Sequence, residues 1–98
     1  MRLTLIHGPA ACGKTTNRDA LAAALKCDRI FDDEHPGKLL QQLRHEEMAR
    51  ERKAPNAPQM PHHILALCMT SSLPVWQKAH QHFYDVTVVS FEEAVKNV

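Results

Sequence analysis

The stretch Gly8-Pro9-Ala10-Ala11-Cys12-Gly13-Lys14-Thr15 spells G-x-x-x-x-G-K-T. That spacing suits the holding of a phosphate chain. Gly8 permits a sharp exit from a strand, and Gly13 lets the backbone close around an anion. The N–H groups of Gly13, Lys14, Thr15 and Thr16 are placed to open a helix and face that anion, with the helix dipole in support. Lys14 can reach β- and γ-phosphates, and the Thr15 hydroxyl can bind Mg²⁺. Gly8, Ala11, Cys12, Gly13, Lys14, Thr15 and Thr16 are therefore the candidate nucleotide contacts.

Three carboxylates, Asp32, Asp33 and Glu34, follow the apolar pair Ile30-Phe31. A phosphate-bound Mg²⁺ needs an acidic partner on a neighbouring strand. Asp32 or Asp33 fits that role; because side chains alternate along a strand, one of the two should point into the site. Glu34 fits the base that orients an attacking water, with Lys14 and Asp33 beside it in catalysis. Thr70-Ser71-Ser72 ends a later apolar run. Thr70 or Ser71 there can hydrogen-bond a γ-phosphate, and Ser72 suits a helix cap.

These groups must be positioned by strands and helices. Residues 2–7 read as a buried strand and residues 16–25, rich in Ala and Leu, as a helix ending near Lys26 or Cys27. Residues 28–34 read as a short strand. Pro36 suits the start of a second helix, with Leu39, Leu40, Leu43, Glu47 and Met48 along one face. Three prolines make residues 54–61 a loop. Residues 63–70 read as a strand covered on both faces, residues 73–83 as a helix around Trp76, and residues 86–91 as the last strand. The alternation predicts an α/β fold: a parallel sheet of about four strands flanked by helices, three layers in all, in one domain spanning 1–98. Ligands in such sheets bind at the carboxyl ends of the strands, where Gly8, Asp32 and Thr70 fall.

Composition narrows the partners. Twelve basic and eleven acidic residues give no global field for nucleic acid or membrane. The charges of residues 44–53 interleave, with Glu46, Glu47 and Glu51 among Arg44, Arg50, Arg52 and Lys53. They read as a solvated helix, and nucleic-acid binding stays a minor alternative. Cys12, Cys27 and Cys68 form no C-x-x-C pair, and free thiols suit a cytoplasmic setting. His62-His63 and His80-x-His82 lack the spacing of a zinc site. No apolar run approaches the ~20 residues of a membrane helix.

Read in order, GPAACGKT, RIFDDE and ILALCMTSSLP resemble the Walker A, Walker B and sensor-1 elements of P-loop NTPases. The likeness is to the additional-strand, catalytic-glutamate division, which includes AAA+ proteins and superfamily-3 helicases. It implies a minimal P-loop sheet with the strand of residues 63–70 lying between those of residues 2–7 and 29–32. It implies binding of ATP or GTP with Mg²⁺ and slow hydrolysis. It also implies an arginine from a second copy or another protein, with Arg44, Arg50 and Arg52 as candidates. A small-molecule kinase using the same loop is one alternative, and in that reading the strands of residues 2–7 and 29–32 are neighbours. A non-catalytic, nucleotide-dependent regulatory module is the other.

Overall fold

The computed structural model describes residues 1–9, 16–32 and 35–96. Four parallel strands form one sheet: β1 (Arg2–Gly8), β2 (Arg29–Asp32), β3 (His63–Met69) and β4 (Asp85–Ser90). Their order is β2-β3-β1-β4. β3 thus lies between β1 and β2. Helix α1 (Arg18–Leu25) joins β1 to β2, and α2 (Pro36–Glu51) joins β2 to β3. The short α3 (Leu73–Gln77) precedes β4, and α4 (Phe91–Val95) follows it.

Period-two alternation divides the sheet into two apolar faces. Leu3 and Leu5 of β1 lie with Ile64, Ala66 and Cys68 of β3, under Leu39 of α2 and Trp76 of α3. Ile6 lies with Leu65 and Leu67 on the other face, under Leu21 and Ala22 of α1 and Ala94 of α4. The result is a three-layer α/β fold. Ile64 through Cys68 are all buried, as a strand covered on both faces requires. Trp76 is fully buried and meets Phe31 edge-on, with ring centroids 6.2 Å apart. No helix among the described residues is long and apolar enough to cross a membrane.

Boundaries in the last third of the chain differ from the sequence reading. Residues 73–83 are not one helix: α3 ends at Gln77, and a 3₁₀ turn covers His80–His82. Trp76, Ala79 and Phe83 are all buried. β4 stops at Ser90, whose Oγ accepts from the Glu93 N–H at 3.3 Å and so caps α4. The sequence Ser90-Phe91-Glu92-Glu93 carries the S-x-x-E signature of such a cap. Ser72, the expected cap of α3, makes no side-chain capping bond.

α2 begins at Pro36, preceded by His35 in extended backbone, the conformation proline imposes on the residue before it. Its inner face corrects the expected one. Glu47 and Met48 are exposed, whereas Glu46 is buried with Leu39. Arg29 Nη1 donates to both Glu46 carboxylate oxygens, at 2.7 Å to Oε2, and Gln42 Nε2 donates to Oε2 at 3.1 Å. Glu46 is therefore a buried ion-pair partner and not part of a solvated face.

The same end of the molecule holds the proline-rich loop. Arg50 Nη1 donates to the Pro58 carbonyl at 2.8 Å, and Arg29 Nη2 to the Gln59 carbonyl at 3.2 Å. Asp28 accepts from the backbone N–H groups of His62 and His63, each at 2.9 Å. Burial works against the Asp28 carboxylate, but these N–H donors outweigh it and hold its pKa below the ordinary value.

Candidate functional site

β1 delivers Gly8 to the carboxyl edge of the sheet, and α1 begins ten residues later at Arg18. Strand and helix thus flank the glycine-rich loop. The candidate contacts Ala11, Cys12, Gly13, Lys14 and Thr15 lie outside the described residues, as do Asp33 and Glu34. Thr16 is an exposed turn residue two positions before α1. The first turn of α1 is closed by the Leu21 N–H on the Asn17 carbonyl at 2.9 Å, so the helix starts later than the sequence reading had it.

The sheet fixes where Asp32 stands. It is in register with Leu67, which is in register with Ile6. Asp32 is therefore two residues short of Gly8 along the strands and two strands away across them. At 3.3 Å per residue and 4.8 Å per strand, that places it roughly 12 Å from Gly8. Its carboxylate lies on the α1 face, 4.0 Å from Arg18 Nη1. Arg18 sits three residues beyond Thr15 in the chain, and no spacing rule singled it out.

His7 occupies the other face. It is in register with Cys68 and Ser90, and its Nδ1 shares a hydrogen bond of 3.1 Å with Thr70 Oγ1. Of the two candidate hydroxyls after β3, Thr70 is thus turned toward β1, while Ser71 is exposed in the 3₁₀ turn Thr70–Ser72. A cavity of about 260 Å³ opens beside this pair. Gly8, Pro9 and Thr70 wall one side, and Ser90, Phe91 and Glu92 the other. His7, Ser90 and Glu92 were not among the candidate site residues. The pairing of His7 with Thr70 spans 63 positions, which no local pattern encodes.

The remaining chemistry-bearing groups lie elsewhere. α2 starts at the carboxyl edge and runs down the sheet for 16 residues, about 24 Å. Arg50 and Arg52 therefore stand at the far end from Gly8. Arg44 and Arg50 line a second cavity there of about 540 Å³, with Leu40, Leu43 and Met60. Cys27 carries a free thiol, and Cys68 is buried in the core. Burial, and then the charge of Asp28, raise the Cys27 pKa to about 11. His63 is engaged by Thr4, Nε2 to Oγ1 at 2.6 Å. No group of three His, Cys, Asp or Glu side chains among the described residues converges as a metal site would require.

Comparisons of the chain with family models, with curated proteins and with solved structures gave no match.

Proposed function

We propose that the chain is a small P-loop nucleoside triphosphatase, which binds ATP or GTP with Mg²⁺ on residues 8–15 and hydrolyses it slowly. The observation that carries this reading is the G-x-x-x-x-G-K-T motif beginning at Gly8, the last residue of the inner strand β1. α1 follows the loop, giving the strand–loop–helix context in which the motif acts on phosphate. Thr15 and an aspartate hold the Mg²⁺, Lys14 the β- and γ-phosphates, and Glu34 the attacking water. The free thiol of Cys27 agrees with a cytoplasmic setting. Arg18 stands at the carboxyl edge beside Asp32, whereas Arg50 and Arg52 act on a phosphate only in a second copy.

Glu34→Gln separates binding from chemistry. A base acts in the transition state, so the variant should bind Mg·ATP as the wild type does and turn over much more slowly. Hydrolysis at the wild-type rate would remove Glu34 from the mechanism. Asp32→Asn and Asp33→Asn should differ from it by weakening the Mg²⁺ dependence of binding.

Phosphoryl transfer to a small molecule is the second reading. It expects the strands of residues 2–7 and 29–32 to be neighbours, and the position of β3 between them counts against it. Asp32 then holds the acceptor's hydroxyl. The product tells the two apart: inorganic phosphate for hydrolysis, a phosphorylated small molecule for transfer.

A further inference from the structure

We propose that β4 pairs with the β4 of a second copy of this chain, antiparallel about a two-fold axis at Thr87, so that the two sheets continue as one. The pairing uses no residue of the glycine-rich motif and stands apart from the nucleotide reading.

Among the described strands β4 is outermost, with β1 its one neighbour. Register fixes which of its backbone groups point outward. The Arg2 N–H donates to the His62 carbonyl on the β3 side, so Leu3 and Leu5 turn theirs toward β4. In a parallel ladder, such a residue bonds to the two residues that flank its partner. Leu3 is in register with Val86, and Leu5 with Val88. Asp85, Thr87 and Val89 therefore bond to β1, and Val86 and Val88 direct their N–H and C=O groups outward. Among the described residues those outward groups meet no partner.

Proteins blunt an open strand with proline, lysine, a bulge or a very short run. β2, on the opposite side of the sheet, is short and carries Arg29 and Asp32. β4 has neither proline nor lysine, and Asp85 is its one charged residue. That charge is engaged by Arg2 at 3.6 Å. Val88 is 44% exposed, and Thr87 is exposed beside it.

The strand matches itself. With the two copies of Thr87 opposite each other, Val86 of each copy faces Val88 of the other and exchanges backbone hydrogen bonds with it. The threonines then form the close, non-hydrogen-bonded pair, with Cα atoms ~4.5 Å apart. The two Asp85 carboxylates fall at opposite ends, roughly 13 Å apart along the strands, so like charges do not meet. Two-fold pairing consumes the open strand of both copies and stops at a dimer, whereas parallel pairing of β4 with another copy's β2 would grow without limit.

Sedimentation equilibrium over a wide range of protein concentration tests this on wild type and Val88→Lys, and oxidative cross-linking tests it on Thr87→Cys and Val88→Cys. The wild-type mass should rise from that of one chain to twice that and go no higher. Val88→Lys should stay at one chain, with an unchanged circular dichroism spectrum. Thr87→Cys should form a disulfide between the two copies of residue 87, identified by peptide mass, because the close pair lies within the Cα separation that a disulfide spans. Val88→Cys should not link to its own copy. Should Val88→Lys unfold, the cross-link at residue 87 decides alone. A wild type that remains one chain, or that grows past two, overturns the proposal. So does a dimer that folded Val88→Lys leaves intact, or one in which Thr87→Cys fails to cross-link.

Discussion

The two edges of the sheet differ in how fully their charged residues are tied to the rest of the chain. At the amino edge, charged groups bind parts of the same chain. Arg29 holds Glu46 and the Gln59 carbonyl, Arg50 holds the Pro58 carbonyl, and Asp28 holds the start of β3. At the carboxyl edge, Gly8 ends β1 beside a cavity, and Glu92 stands at its rim without a described partner. On the proposed function, mutations at the first edge should act on folding, and mutations at the second on ligands.

The largest effect should come from breaking the amino edge. Arg29→Ala leaves the buried Glu46 carboxylate uncompensated, which costs on the order of 3 kcal/mol. Denaturant unfolding should show that loss, while nucleotide affinity of the folded fraction stays unchanged. A fall in affinity with stability intact would reverse the assignment of the edges.

Lys14→Ala is the reciprocal test. Removing a charge-assisted contact to phosphate should cost ~1.5–3 kcal/mol of nucleotide affinity, with the unfolding midpoint of the unliganded protein unmoved. Calorimetry and unfolding on the same preparation decide it. Equal affinity for variant and wild type would remove phosphate binding from the loop.

Thiol labelling compares the edges within one molecule. With its pKa raised to about 11, Cys27 at pH 8 carries about a thousandth of its thiolate, so alkylation should be slow and indifferent to nucleotide. Cys12, within the glycine-rich motif, should be shielded by saturating Mg·ATP. Mass-resolved labelling in which nucleotide protects Cys27 and not Cys12 would place the ligand at the wrong edge.

Acid should loosen the amino edge. Burial works against the Glu46 carboxylate, but the Arg29 and Gln42 donors outweigh it and hold its pKa below the ordinary 4.5. Its stabilisation is then fully present above about pH 4.5 and is lost as pH falls through the lowered folded value. Glu46→Gln should flatten this acid limb. An unaltered limb would show that other carboxylates set it.

The smallest effect concerns helix ends. Lys26 and Lys53, at the carboxyl ends of α1 and α2, adopt positive φ of 58° and 55°. Glycine at either position should raise stability by about 0.5–1 kcal/mol. Nucleotide affinity should not change.

The sequence was most legible where a signal is local. The apolar run 64–68 announced a doubly covered strand, Pro36 announced the start of α2, and the alternation of elements announced the parallel sheet. Glu46 was misread because its partner Arg29 is 17 residues away on another element, and a charged helix looks the same whether that partner exists or not. The helix drawn through residues 73–83 followed apolar spacing alone, which cannot show that the backbone changes winding after Gln77. At the site, the glycine-rich motif stands as a spacing in the sequence, since residues 10–15 lie outside the described ones. Arg18 beside Asp32 and His7 beside Thr70 depend on strand order and register, which residue spacing alone did not supply.

The position of β1 inside the sheet also has a consequence in time. Its neighbours are β3 and β4, with Arg2 opposite His63 and Asp85. No hairpin joins any two strands, so β1 meets no partner until translation reaches residues far downstream. At ~5–20 residues per second, the gap between Arg2 and His63 takes about 3–12 s to synthesise. Throughout that interval an apolar strand and its glycine-rich loop exist without a sheet to join. During that interval the segment is open to contacts with strands of other chains.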